Sequence, residues 1–246
     1  MNRFDALDRV SAMPPYKHFI VLSGEAGAGK DSTADILVDH HGYRKVSLSD
    51  EMKRFCMRAF GWTHEQMFGP SHLRNAPDPK WARPCGHCDA TGCVVGENDG
   101  HPYPCPKCNG DGKLNDNSPR RVLQLLGDEW GRQMIHPDIW TMVARPGLEN
   151  LLSRGVRIVI NDARFDNDRT NLADWLGAKL VDVRSTFAKD DGAAWRKHAS
   201  ELSRPSDDQV HYIVNNDEEW PFPGLRARVA TMLNTLYGVD AMTEGV

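Results

Sequence analysis

The sequence predicts an α/β fold built on a parallel sheet, and three observations lead there. Residues 24–30 read Gly24-x4-Gly29-Lys30 between an apolar run and a helix-compatible stretch. Residues 156–160 are a predominantly apolar run of the kind a strand covered on both faces requires. Strand-like and helix-like segments alternate around these two, and helical crossovers between parallel strands are the usual way to connect such a series.

Taken in order, a strand is predicted over 19–22 and a helix over about 32–40, stopped by Gly42. Residues 43–48 alternate as a second strand. Residues 50–60 have helical spacing through Met52, Phe55, Cys56 and Ala59 and end at Gly61. From 69 to 118 Pro, Gly, Asn and Asp dominate, with cysteines among them, so this stretch reads as an insertion. Helical pattern resumes at Pro119 with Val122, Leu123, Leu125, Leu126 and Trp130, and Gly127 weakens it. A further helix is expected over 138–153, then helix over 170–176, strands over 180–183 and 212–214, and a last helix over 225–237. The domain reading is an N-terminal tail (1–16), a core (17–78 and 117–240), an inserted module (79–116) and a short C-terminal tail (241–246).

A chain of 246 residues can bury a full core. Its formal charge of -4 and pI near 6.2 supply no global field that would attract nucleic acid. The polar N-terminus has neither a signal core nor an Arg-rich transit pattern, and no run approaches a membrane span, so a soluble cytoplasmic protein is expected.

The Gly24-x4-Gly29-Lys30 segment, followed by Asp31-Ser32-Thr33, is read as a phosphate loop. Gly24, Gly27 and Gly29 let successive backbone N–H groups turn inward on phosphates, Lys30 supplies a point charge, and the next helix presents its positive end. A hydroxyl usually follows the lysine and binds magnesium. Here Asp31 stands in that place and Ser32 follows, so either could hold the ion.

After the strand at 156–160 comes Asn161-Asp162-Ala163-Arg164. A carboxylate at the C-terminal end of a parallel strand can orient magnesium-bound water, and a guanidinium two residues on can reach a phosphoryl group in transfer. The plain alternative makes Asp162 a helix cap and Arg164 a surface charge. Arg121, Gln124, Asp128 and Arg132 recur at three to four residues and would share one helical face, suited either to an acceptor carrying both phosphate and base or to ordinary solvated ion pairs. Asp50 and Lys53 open the second helix, where Asp50 is also a good N-cap. A basic stretch holding Arg184, Lys189, Arg196, Lys197 and Arg204, with His198, Ser200 and Glu201, reads as a closing lid or as solvated charge.

Cys85-x2-Cys88-x16-Cys105-x2-Cys108 has the spacing of a four-cysteine zinc ribbon, and soft thiolates in a tetrahedron select zinc. Between residues 80 and 118 four basic side chains face five acidic ones, which disfavours a grip on a phosphate backbone. The stretch is too polar to build a core, so metal would supply its folding free energy. Its flanks resemble the Cys-x-x-Cys-x-Gly-x-Gly modules of J-domain co-chaperones, in full only in the second copy, since Ala90 replaces a glycine in the first.

Together, the phosphate loop with its Lys30-Asp31 step, the run from Arg121 to Arg132, Ile-His-Pro-Asp138-Ile-Trp140, Asn-Asp162-x-Arg164-Phe, His198-x-Ser-Glu201 and the Asn-Asn-Asp217 segment resemble the bacteriophage-type deoxynucleoside monophosphate kinases, over about 17–237 apart from the insertion. The resemblance implies a P-loop NTPase of nucleoside monophosphate kinase type, a three-layer sandwich about a parallel sheet with the small zinc ribbon added. It implies transfer of the ATP γ-phosphoryl group to a deoxynucleoside 5′-monophosphate with magnesium, in a host cytoplasm if the gene is phage-borne, and it is compatible with a homodimer. Lys30, Asp162 and Arg164 would then serve catalysis, the loop residues and Asp31 or Ser32 the ATP and its magnesium, and Asp50, Lys53, Arg121, Gln124, Asp128 and Arg132 the acceptor. Two other readings stay open: a kinase acting on hydroxymethylated pyrimidine within DNA, and a zinc-dependent binding module with a regulatory nucleotide site.

Overall fold

The computed structural model describes residues 18–25, 27–186, 205–218 and 222–238. The chain divides into two compact units, one formed by residues up to 50 and from 136 onward, the other by residues 51–135.

The first unit is built on a five-stranded parallel sheet. Its strands are β1 (Phe19–Ser23), β2 (Arg44–Lys45), β7 (Ile158–Ile160), β8 (Lys179–Arg184) and β9 (Tyr212–Asn215), in the spatial order β2-β7-β1-β8-β9. The pleat sends alternate side chains to opposite faces. Ile20, Leu22, Val159, Val181, Val183 and Val214 face helices α1 (Lys30–His41) and α8 (Leu225–Tyr237). Phe19, Val21, Ile158, Ile160 and Leu180 face α6 (Ile139–Ser153) and α7 (Asp166–Leu176). Helices therefore cover both faces, giving three layers, as the α/β reading expects.

The boundaries that differ from expectation have identifiable causes. Strand β2 is two residues rather than six, because beyond Val46 the chain turns through residues 47–49 onto the carboxylate of Asp162. Helix α7 begins four residues earlier than its apolar pattern, since Asp168 accepts a hydrogen bond from the Phe165 N–H at 3.3 Å and closes a capping turn.

The second unit carries most of α2 (Asp50–Phe60), then α3 (His64–Phe68), α4 (Ser71–Asn75) and α5 (Pro119–Gln124) around a small core of Cys56, Trp62 and Met67. The indole N–H of Trp62 donates to Asp78 at 2.8 Å, and Phe60 stacks on Trp62 with ring centres 4.7 Å apart. Of the apolar positions expected to face a core on α2, only Cys56 is buried, while Phe55 is 49% exposed. The helix expected from Pro119 onward is α-helical only to Gln124. Residues Leu125–Ile135 wind as a π-helix, an unusual length for a form mostly seen as single-turn bulges. Gly127 does not break it: a β-carbon there would only touch Met52, at 3.6 Å.

Between α4 and α5 lies the cysteine-bearing module. Strands β3 (Arg83–Pro84) and β6 (Lys113–Leu114) pair antiparallel at its base, and β4 (Cys93–Val95) pairs with β5 (Pro102–Pro104) as a hairpin. Among the described residues no helix is long and apolar enough to cross a membrane.

Ile160 is wholly buried in the middle of the first unit. Ile160→Ala should lower unfolding free energy by about 3 kcal/mol, read from urea denaturation with an unchanged slope.

Candidate functional site

The loop after β1 is shaped by contacts that only glycine allows. Gly24 has φ 134°, and a β-carbon there would lie 2.1 Å from the carbonyl oxygen of Val183 on the neighbouring strand β8. Gly27 and Gly29 also have positive φ, 87° and 100°, and Gly29 caps α1 without any side-chain hydrogen bond. No side chain caps the first turn of this twelve-residue helix, which starts at the loop. The ammonium of Lys30 lies over the loop, donating to the carbonyls of Gly24 at 2.6 Å and Glu25 at 2.7 Å. A helix N-terminus and a lysine thus meet at a glycine-bearing loop, which is the chemistry an anionic phosphate needs.

Behind the loop stand Asn216, just beyond β9, and Phe222, just before α8. Asn216 is fully buried and donates through Nδ2 to the carbonyl of Ala28 at 3.0 Å. A β-carbon on Gly29 would come within 2.5 Å of that nitrogen and 3.7 Å of the Phe222 ring. A shallow pocket beside the loop is lined by Gly24, Glu25, Asp182, Val183, Arg184 and Ser185. At its edge Arg184 is held by two carboxylates, Asp182 at 2.7 Å and Asp207, whose hydrogen bonds keep its guanidinium firmly protonated. Of the expected basic lid, Arg184 is thus paired within the sheet, and residues 187–204 lie outside the described residues.

Asp31, next to Lys30, is 84% exposed at its side chain and accepts from Asn161 Nδ2 at 2.5 Å. Lys45 from β2 stands 3.9 Å from the same oxygen and is bonded to Asp35 at 3.1 Å. Ser32 is half-buried one position further along α1. Asp162 accepts from the N–H groups of Leu48 and Ser49, at 3.0 and 3.3 Å, and from the hydroxyls of Ser47 and Ser49. These four donors all belong to the turn that leads into α2, so Asp162 is the anchor of that turn. Arg164 is exposed, and its carbonyl receives Nη1 of the buried Arg169 at 3.1 Å, which also reaches the carbonyl of Ala163 and the carboxylate of Asp166.

The residues expected at the acceptor fall mainly in the second unit, with Asp50 at the start of α2. Asp50 accepts from the Ser47 N–H at 3.4 Å, and Lys53 lies over the Phe68 ring at 4.6 Å. Arg121 forms an ion pair with Asp116 at 3.6 Å, and Arg83 holds the same carboxylate at 2.8 Å, so Asp116 is kept below the usual carboxylate range chiefly by Arg83. Gln124 ends α5 and is exposed, while Asp128 and Arg132 lie half-buried on the π-helical turns, whose wider winding keeps residues four and five apart on one face.

Cys85, Cys88, Cys105 and Cys108 converge with all four sulfurs within 4.8 Å of one another, and all four are buried. The Cys85–Cys105 and Cys88–Cys108 sulfurs are 3.9 and 3.8 Å apart. A tetrahedral ion with metal–sulfur bonds of about 2.3 Å requires sulfur–sulfur edges of about 3.8 Å, so the donor set fits. The two knuckles mirror each other. The Cys85 N–H donates to Gly112 and the Cys105 N–H to Gly92, while Ala90 (φ 64°) takes the left-handed conformation that Gly110 (φ 90°) takes in the other knuckle.

The sequence by itself assigns no role to Asn161, Asn216, Asp182 or the Ser47 and Ser49 hydroxyls. Both asparagines do stand inside recognisable motifs at the ends of strands, and that position is the signal the sequence offers for them.

Removing the Asp162 carboxylate should release the turn at 47–49. Asp162→Ala is expected to cost about 2 kcal/mol of stability through unpaired amides and hydroxyls, and an unchanged thermal melt would show that something else holds the turn.

No protein-family model matches the chain. It is 25% identical over 209 residues to a protein of Acanthamoeba polyphaga mimivirus named "Putative deoxynucleotide monophosphate kinase", a match covering 81% of this chain and 88% of that protein. It is also 34% identical over 105 residues to the deoxynucleoside-5′-monophosphate kinase of Escherichia phage T5, covering 40% of this chain and 39% of the phage enzyme. These two relatives bear out the kinase resemblance read from the motifs, over most of the chain in the first case and two fifths of it in the second.

Proposed function

We propose that this protein transfers the γ-phosphoryl group of ATP to a deoxynucleoside 5′-monophosphate, giving the diphosphate. The observation that carries the reading is the loop between β1 and α1, where positive-φ glycines, the start of α1 and an ammonium meet at the C-terminal end of a parallel sheet. The similarity to the mimiviral protein and the phage enzyme supports the acceptor class.

In this reading Lys30 exchanges its contacts with the Gly24 and Glu25 carbonyls for phosphoryl oxygens, and the amides of Gly29 and the first turn of α1 hold the β- and γ-phosphates. Magnesium, when bound, neutralises phosphate charge. The exposed Asp31 carboxylate, oriented by Asn161, and the Ser32 hydroxyl are the donors of this chain that would hold it. Arg164 draws charge from the group in transfer. Asp162 acts through the turn at 47–49 by fixing where α2 begins, and Asp50, Lys53, Gln124, Asp128 and Arg132 receive the acceptor, with Arg121 steered by Asp116. The attacking oxygen belongs to a phosphate and is already anionic at neutral pH. No general base is needed, and catalysis rests on positioning and charge neutralisation.

The cysteine cluster is proposed to bind structural zinc. Its four buried thiolates leave no open position for a substrate, and the ion would close a fold whose flanks are glycine, proline and polar side chains.

With ATP and magnesium, the protein should release ADP on addition of one or more free deoxynucleoside monophosphates, and Lys30→Ala should lose roughly 10²–10³-fold in turnover. Label transfer only to modified-base DNA, or no turnover with any acceptor, would overturn the assignment. Metal analysis of the purified chain should find one zinc ion per molecule, and Cys105→Ser should abolish it and unfold the ribbon.

A further inference from the structure

We infer that Asn216 is a positioning residue of the phosphate loop: its carboxamide sets the peptide between Ala28 and Gly29 so that the Gly29 N–H faces the triphosphate. This rests on the reading of the loop as the ATP site. The main-chain N–H of Asn216 is tied to the carbonyl of Arg184 at 2.7 Å, just beyond β9, so the residue stands on the rigid sheet. Its side chain, fully buried, reaches the Ala28 carbonyl through Nδ2 at 3.0 Å. The acceptor there is a carbonyl, which settles the orientation of the amide: reversing it would set two acceptors against each other.

The consequence follows from peptide planarity. In a trans peptide the C=O of one residue and the N–H of the next point in opposite directions. Holding the Ala28 carbonyl toward β9 therefore turns the Gly29 N–H to the opposite side of that peptide, away from the sheet. Gly29 accepts this because φ 100° is open to it and because no β-carbon occupies the 2.5 Å that would separate such a carbon from Asn216 Nδ2. Among the described residues Asn216 Oδ1 is buried with no hydrogen-bond partner. An apolar side chain at that place would avoid the cost of an unpaired oxygen, so packing alone does not account for an asparagine.

The test compares Asn216→Ala and the near-isosteric Asn216→Asp with the unaltered protein, varying ATP at saturating acceptor and then acceptor at saturating ATP. Both variants should raise the KM for ATP about tenfold, since neither can donate to the Ala28 carbonyl, and should leave the acceptor KM within about twofold. Weaker binding of a fluorescent ATP analogue should accompany the change. An unchanged ATP KM in folded variants, or a fall in melting temperature with both KM values moving together, overturns the inference while leaving the kinase reading intact. If the unaltered chain neither binds nor consumes ATP, the site assignment itself falls, and this inference with it.

Discussion

The candidate site depends on one close approach. At Gly24 the chain leaves β1 against the carbonyl of Val183, with 2.1 Å where a β-carbon would be, and any other residue would push β1 away from β8 or lift the loop from the sheet. Because β1 is flanked by β7 and β8 in parallel register, from Phe19 opposite Ile158 to Ser23 opposite Asp182, the loop inherits its position from a strand that is buried throughout. The start of α1 and the Asn216 carboxamide are then placed by helix and sheet rather than by the loop itself, while the Lys30 ammonium rests on the loop carbonyls. Groups placed in this way can meet a highly charged ligand with little reorganisation.

Within each unit several ionic groups serve one another. Arg184 is shared between Asp182 and Asp207, Lys45 serves Asp35 and approaches Asp31, and in the other unit Arg121 and Arg83 converge on Asp116. Such pairs hold orientation more than they add stability, since those at the surface are screened by water. The buried Arg169 is a different case. It binds the carbonyls of Ala163 and Arg164 and the carboxylate of Asp166, which fixes the path of the chain that presents Arg164.

Much of this is legible in the sequence wherever one physical signal dominates. Strands β1, β7 and β8 are visible because burial on both faces demands apolar runs. The cysteine cluster is visible because two Cys-x2-Cys pairs in a stretch too polar to fold alone point to a shared ion. What escapes is set by tertiary contacts. The early end of β2 is dictated by Asp162, over a hundred residues away, and the π winding of Leu125–Ile135 escapes because a four-residue spacing such as Asp128 to Arg132 fits either winding. The exposed Phe55 departs from its expected place for the same reason, because spacing reveals an apolar stripe but not whether anything covers it. Asn161 and Asn216 read as parts of motifs, yet their partners, Asp31 and the Ala28 carbonyl, become apparent only in three dimensions.

The cysteine module enters and leaves the chain through a two-stranded stem. Arg83 lies opposite Leu114 and Pro84 opposite Lys113, the Asp78 N–H meets the carbonyl of Asn117 at 2.9 Å, and the Asn117 side chain reaches the carbonyl of Trp81 at 2.8 Å. Its two ends are neighbours in space, as in a hairpin, so the length and content of what lies between them are decoupled from the helices on either side. Such a stem is a natural splice point, through which an ancestral gene could gain, exchange or shed the whole appendage without disturbing the scaffold it grows from.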